Sequence, residues 1–289
     1  MKIAIITDIH HGPQSHTKEA GWDALAVIRD FIWHAGEQRA DLVLDLGDRI
    51  SDTSRDTDRQ VTAEVAEVFR TFHGPRYHVL GNHDVSNLTI EDSEEILGQS
   101  MQSQVVDLGE TRLILWQPGV KITVGVGFPH VVPGLPWLVD ALNADERPAI
   151  IATHVPLSGH SQIGNYYFES NPQYSTYPDH AVVREAVEAT GRAALWLSGH
   201  VHWNTVTNVR GVKHLTVQSV SERFTTYPNG AAAFAMLEIA DGGFIIDVHG
   251  NDPFHARLPF RKSGDRPWMS PLGPFGERAA QRQTERESA

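Results

Sequence analysis

Apolar positions along the chain follow two rhythms. Residues 2–7 (KIAIIT) form a short β-branched run ending on Asp8, the pattern of a buried strand that opens onto a loop. From Glu19 to Arg39, Trp22, Leu25, Ile28, Phe31, Ile32 and Ala35 recur at spacings of three and four and predict a helix with one apolar face. LVLDLGD (42–48) repeats the apolar run into an acid. A second helix is predicted over Asp58 to Phe72, where Val61, Val65, Val68, Phe69 and Phe72 share a side, and RYHVLGNHD (76–84) supplies the next strand. Strands alternating with helices predict parallel pairing through right-handed crossovers, so the carboxyl ends of the strands lie along one sheet edge. Asp8, Asp48 and Asn82 stand at or just after such ends, where ligands of open α/β sheets collect.

Beyond residue 100 the rhythm shortens. RLILW and KITVGVG within 104–128 read as strands, Pro136 to Asn143 as a short helix, and PAIIATH (148–154) as a further strand ending in a polar residue. Residues 155–180 keep no period but hold Tyr166, Tyr167, Phe168, Tyr174 and Tyr177. So long and aromatic a loop is expected to be a lid, because disordered segments are poor in aromatics. A helix over 180–190 stops at Gly191, and AALWLSGHVH (193–202) is another apolar strand running into histidines. NTVTNV, VKHLTVQ, AAAFAMLEIA and GFIIDVH follow with hairpin-like spacing to His249. From Asn251 onward, five Pro and three Gly in 39 residues predict an irregular extension, with Trp268 and Phe275 docking it on the body or on a neighbouring subunit. The chain thus divides into a body, 1–250, and an extension, 251–289.

Composition removes several chemistries. The 289 residues include no cysteine, which excludes disulfides, thiolate zinc sites and a cysteine nucleophile. The net charge is −12, and the acid is concentrated in residues 1–250, with 31 acidic against 17 basic side chains. That balance argues against wrapping a nucleic-acid backbone, where Lys and Arg must neutralise phosphates. The apolar stretch at the start is far too short for a signal peptide, and no other run approaches the length of a membrane span. A soluble, cytoplasmic protein is expected.

One kind of polar residue recurs at the strand ends: Asp8 and His10, Asp48, Asn82-His83-Asp84, His154, then His200 and His202. Each fragment alone says little. Together, five strand-end loops offering carboxylate, imidazole and carboxamide donors, with no sulfur, suit Mn²⁺, Fe, Zn²⁺ or Mg²⁺. Seven such residues exceed what one ion needs, whereas two ions sharing a carboxylate would use them all. The glycines of GNHD and GHVH are expected to let the backbone turn tightly.

In order and spacing these residues resemble the calcineurin-like metallophosphoesterase family, whose pattern is D-x-H, GD, GNH[DE], H and GHxH. All five blocks are present: Asp8-Ile9-His10, Gly47-Asp48, Gly81-Asn82-His83-Asp84, His154 and Gly199-His200-Val201-His202. The resemblance implies an α/β (α+β) fold, a four-layer αββα sandwich of two mixed β-sheets flanked by helices, with a dinuclear metal site at the strand carboxyl ends. It implies one ion held by Asp8, His10 and His202, another by Asn82, His154 and His200, and Asp48 bridging both. The ions would be Mn²⁺, Fe or Zn²⁺ and would activate a bridging hydroxide. His83 would protonate the leaving alkoxide or stabilise the transition state, with Asp84 orienting its ring and supporting its charge, the alternative being a histidine that only props a neighbouring ligand. Within the family, the size and ligand spacing look most like bacterial class III cyclic-nucleotide phosphodiesterases and the related glycerophosphodiesterases. This implies a hydrolase of a small phosphodiester, with a phosphomonoesterase as the alternative and a nuclease or non-catalytic scaffold further off, and it also suggests a homodimer. Arg49 and Asp52 could contact substrate but read better as holding the loop, while His11 and His160 read equally well as substrate contacts or as a spare exposed histidine and a packing residue.

Overall fold

The computed structural model describes residues 1–13, 23–240, 242–259, 273–274 and 276. Trp22, Trp268 and Phe275, to which the sequence assigned packing roles, lie outside these residues. The first sheet contains β1 (Lys2–Ile6), β2 (Leu42–Asp45), β3 (Arg76–His78), β10 (Phe234–Ala240), β11 (Gly243–His249) and β12 (Phe254–Pro259), in the order β12-β11-β10-β1-β2-β3. β1, β2 and β3 pair in parallel, with Ile3 beside Leu42 and Leu44 beside Tyr77, and the remaining strands are antiparallel. The second sheet runs β4-β5-β6-β7-β9-β8, from β4 (Gln104–Asp107), β5 (Arg112–Leu115), β6 (Ala149–Ala152), β7 (Ala193–Ser198), β8 (Thr205–Val209) and β9 (Val212–Thr216). Within it, β5, β6, β7 and β9 are parallel.

The four layers follow from the period of two along each strand. Ile3 and Ile5 of β1 point into the layer between the sheets, where they join Leu115, Ile150, Leu197 and Ile246. Ala4 and Ile6, on the opposite face, meet Ile28 and Phe31 of α1 (Ala24–Glu37) and Val65 and Phe69 of α2 (Arg55–Arg70). On the far side, Ile114, Ile151 and Trp196 of the second sheet pack on Leu138 of α4 (Leu135–Asn143) and Val183 of α5 (His180–Thr190). Burial on both faces is why these strands read as continuous apolar runs. At about 1.5–3 kcal/mol for each buried Leu, Ile or Phe side chain, the three layers of contact dominate the stability of the body.

The structure departs from the sequence reading in four places. Residues 121–127 (KITVGVG) fold back on themselves instead of forming a strand: Thr123 and Gly127 bridge each other, with Gly125 and Gly127 at positive φ. A helix not predicted, α3 (Ile90–Leu97), begins at a capping box formed by Thr89 and Asp92. The extension expected to be irregular from 251 opens with β12: Phe254, Ala256 and Leu258 pack on the inter-sheet core, and the flanking Pro253 and Pro259 are tolerated because this is an edge strand. Finally, the donor-bearing loops belong to two sheets rather than one edge. Three follow β1, β2 and β3, and two follow β6 and β7.

Candidate metal centre

The loops after these five strands meet where the rims of the two sheets come together. Across the gap, His154 Nδ1 donates to the Leu46 carbonyl at 2.8 Å, and the His200 backbone N–H donates to Asp8 Oδ2 at 2.9 Å. Two donor groups result, Asp8 with His10 and His202, and Asp48 with His154 and His200. Within each group the ligand-type atoms lie within 4.8 Å of one another. His10 Nε2 faces His202 Nε2 at 3.2 Å, and Asp8 Oδ1 is 3.2 Å from His202 Nε2. Asn82 Oδ1 is 3.2 Å from His154 Nε2, which places the carboxamide with the second group. Asp48 Oδ2 stands between the groups, 3.2 Å from His154 Nε2 and 4.0 Å from His10 Nε2. All seven residues singled out as ligands are therefore brought together.

The site fits cations. Asp8 Oδ1 is buried without a hydrogen-bond partner, a state that an ion would relieve. Burial pushes His10 and His200 down to about 3, so both rings are neutral donors. Against the cost of burial, Asp48 draws His154 up to about 9 and Asp8 draws His202 up to about 10. The carboxylates thus hold positive charge on the rings around them. An ion in each group would supply that charge directly. His200 Nε2 donates to the Tyr174 carbonyl at 2.6 Å, leaving Nδ1 as its ligand atom, and His202 Nδ1 contacts Glu222 Oε2 at 3.1 Å, leaving Nε2.

The backbone is strained where the donors sit. Of the eight non-glycine residues with positive φ among the described residues, five are Asp8, His10, Asp48, His200 and His202. Each such residue costs of order 1–3 kcal/mol, a strain that collects at functional sites. The two glycines expected to allow tight turns serve a different purpose. A Cβ on Gly81 would lie 2.1 Å from Asp48 Oδ1, and one on Gly199 would lie 2.5 Å from Asp8 Oδ2. The ligand carboxylates pass over these positions, so only hydrogen fits.

Asp84 does not touch the His83 ring. Its carboxylate accepts from the backbone N–H groups of Asp48, Arg49 and Gly81 at 2.9–3.0 Å and pairs with Arg49 Nη2 at 2.8 Å. It is buried beneath the loops, where it ties the Asp48 and Asn82 segments together. Burial raises its pKa to about 6, against the pull of Arg49. The ring partner of His83 is Asp52, which contacts Nδ1. Burial opposes protonation of His83, but Asp48 and Asp52 outweigh it and raise its pKa. The His83 ring packs edge-on to His10, with centroids 4.9 Å apart. His11 turns away to Glu64 at 2.8 Å, and His160 bonds Ser158 beside a separate cavity.

A cavity of about 730 Å³ opens over the donors, with His83 and Asp52 on its lining. The 155–180 loop forms one wall through Tyr166, Tyr167, Phe168 and Tyr174, while Tyr177 is fully buried and takes no part. Nothing in the motif pattern points to Glu222. It lies twenty positions beyond His202 in no motif, and only the fold brings it to that ring.

Two sheets presenting oxygen and nitrogen donors from five parallel strand ends define a candidate centre for two metal ions. A sequence profile of the calcineurin-like phosphoesterases matches residues 1–204, and the chain belongs to that family of phosphoester hydrolases, whose members work with two metal ions. Among solved structures, a dimetal phosphatase from Danio rerio superposes with a TM-score of 0.69 at 14% identity, covering 90% of this chain and 99% of that one. A purple acid phosphatase from yellow lupin gives 0.56 at 13% identity, over 88% of this chain and 52% of that one. GAP50, the anchor in the inner membrane complex of Plasmodium, gives 0.55 at 12% identity, over 94% and 99%. At these identities the likeness is one of fold. No curated protein sequence matches the chain. No helix among the described residues is long and apolar enough to cross a membrane.

Proposed function

We propose that the protein is a phosphodiesterase for a small phosphodiester, with Asp8, His10 and His202 holding one ion, Asn82, His154 and His200 the other, and Asp48 shared. The observation that carries this is the place of Asp48 Oδ2, within 4.0 Å of a donor nitrogen in each group. When bound, Mn²⁺, Fe or Zn²⁺ ions would supply Lewis acidity toward water and phosphate. The chain supplies the remainder. Asp52 holds His83 by Nδ1, which leaves Nε2 for the cavity. As water oxygen replaces the leaving alcohol on phosphorus, the proton of His83 Nε2 passes to the departing alkoxide, and the proton given up by the attacking water passes to solvent, from which His83 is reprotonated. Asp84 and Arg49 act through Asp48, by fixing the loop that carries it.

The preference for a diester rests on charge. Lys121 is the sole Lys or Arg on the cavity lining among the described residues, and Asp52 stands nearby. Beyond the charge that the two ions and His83 would offer, a diester brings one negative charge and a monoester nearly two, and the second has only Lys121 to meet it. A non-catalytic scaffold is the rival reading, and seven convergent donors with a buried unpartnered carboxylate oxygen argue against it. A cytoplasmic location and a homodimer belong to the same proposal and are tested by cell fractionation and light scattering.

Elemental analysis after supplying each metal should find about two ions per chain, and the loaded protein should hydrolyse bis(p-nitrophenyl) phosphate faster than p-nitrophenyl phosphate. Absence of bound ions would overturn the metal assignment. Faster monoester hydrolysis would make the protein a phosphomonoesterase.

A further inference from the structure

The cavity is larger than a phosphate and two small alcohols require, and its upper half is aromatic. Tyr166 stacks on Phe224 at 5.2 Å with an interplanar angle of 29°, yet remains 60% exposed, so one face of its ring is covered and the other is open. Tyr167, 45% exposed, stands beside it. Ile122 and Val124 line the same cavity from the 121–127 turn, and Val124 is 91% exposed. Exposed apolar area concentrated around a cleft marks a place where a ligand is to cover it.

This wall is keyed to the metal donors. Asn165 Nδ2 donates to the Val201 carbonyl at 2.8 Å, while its Oδ1 accepts from the backbone of Tyr167 and Phe168 at 3.1 and 3.0 Å. His200 Nε2 donates to the Tyr174 carbonyl. Glu222, in contact with His202 Nδ1, also lies beside the Tyr166 hydroxyl and pushes its pKa upward together with burial. Each residue of the 200–202 segment is therefore linked to the aromatic loop. The open ring faces sit at a fixed register from the donors, as a binding wall requires.

We infer that this wall is a subsite for a flat aromatic ring with polar edges, borne on the alcohol group of the substrate: a nucleoside-type substituent rather than a glycerol or an acyl chain. Stacking on a tyrosine face suits a planar base, while Ser51 and Ser86 on the same lining, whose hydroxyls donate to the backbone carbonyls of His10 and Asn82, keep acceptor oxygens for a sugar that an acyl chain could not use. The inference rests on the phosphoesterase reading and narrows it.

The test compares two phosphomonoesters that carry the same anionic group. Thymidine 5′-monophosphate and glycerol 3-phosphate are measured as competitive inhibitors of bis(p-nitrophenyl) phosphate hydrolysis, and also by calorimetric titration of the metal-loaded protein. The nucleotide should bind about five- to a hundredfold more tightly, the range expected for one stacked base. Tyr166→Ala with Tyr167→Ala should bring the ratio toward one, and Tyr166→Phe with Tyr167→Phe should keep it. Equal binding of the two ligands to the unaltered protein would overturn the inference, as would a ratio that survives the double alanine variant. If the loaded protein hydrolysed no diester, the phosphodiesterase reading would fail, and calorimetry would still decide the subsite.

Discussion

The two halves of the metal centre are held by different physics. In the half contributed by the first sheet, charge is buried against charge. Arg49, with no exposure, pairs with Asp45 at 2.6 Å and Asp84 at 2.8 Å, and His78 bonds Asp45 at 2.9 Å. Asp84 then fastens the Asp48 and Asn82 loops through three backbone N–H groups. In the half contributed by the second sheet, the histidines are steadied by neutral carbonyls, by Glu222 and by a loop that also lines the cavity. The first half is set by the fold itself. The second is set in part by the segment proposed to meet the substrate, so metal affinity and substrate contact share residues there.

Removing the clamp should have the largest effect. Arg49→Met leaves Asp45 and Asp84 buried without their cation and should cost about 3–5 kcal/mol of stability, measured by equilibrium urea unfolding. A loss below about 1 kcal/mol would show that the charges do not carry the first half. His83 belongs to the same half but hangs from Asp52 outside the clamp, so His83→Ala should keep both ions and the unfolding midpoint. Its expected cost is about 10²–10⁴-fold in turnover of diesters with poor leaving groups. Loss of metal from that variant would mean that the ring supports a ligand instead.

In the second half, Glu222→Gln removes the carboxylate from His202 Nδ1 and should weaken the ion held with Asp8 and His10 by about 10–100-fold, read by chelator competition. Unfolding should shift little. If Glu222→Gln instead destabilised the fold as strongly as Arg49→Met, the contrast between the halves would be lost.

How much of this was legible depended on whether a signal was local. The donors were readable because each closes an apolar strand run, and residue type, strand end and chain order agree at Asp8, Asp48, Asn82, His154 and His200. The layers were readable where a strand is buried on both faces. β12 was hidden by its flanking prolines, and α3 by its eight-residue length. Glu222 and Asp52 as the partner of His83 were not legible, and Arg49 was legible as holding its loop but not as a buried clamp on Asp45 and Asp84. Their roles come from contacts made only after the chain folds, and Asp84 was assigned to its sequence neighbour when its space was already taken by backbone N–H groups.

A pH dependence of stability gives a further test, centred on one buried histidine of the second sheet. His214, on β9 away from the donors, is buried and stacks on Trp196 at 5.5 Å, and its Nε2 has no hydrogen-bond partner. Burial, reinforced by Arg184 and His160, lowers its pKa from 6.5 to about 3. Between those values the unfolded chain binds the extra proton, so the stability His214 contributes is complete above pH 6.5 and is lost as pH falls toward 3, by at most about 1.4 kcal/mol per pH unit. Asp45 of the clamp is also lowered by Arg49 and His78, against the cost of burial. Its contribution is complete above the ordinary aspartate value of 3.8 and is lost only below it. His78, buried beside Asp45 in the first sheet and lowered chiefly by that burial, has the same direction of loss, so each sheet holds a buried histidine that mild acid works against. His214→Phe keeps a stacked ring that cannot be protonated, and its melting temperature should fall less steeply than that of the unaltered protein between pH 6.5 and 4. Parallel curves over that interval would remove His214 as a source of the acid sensitivity.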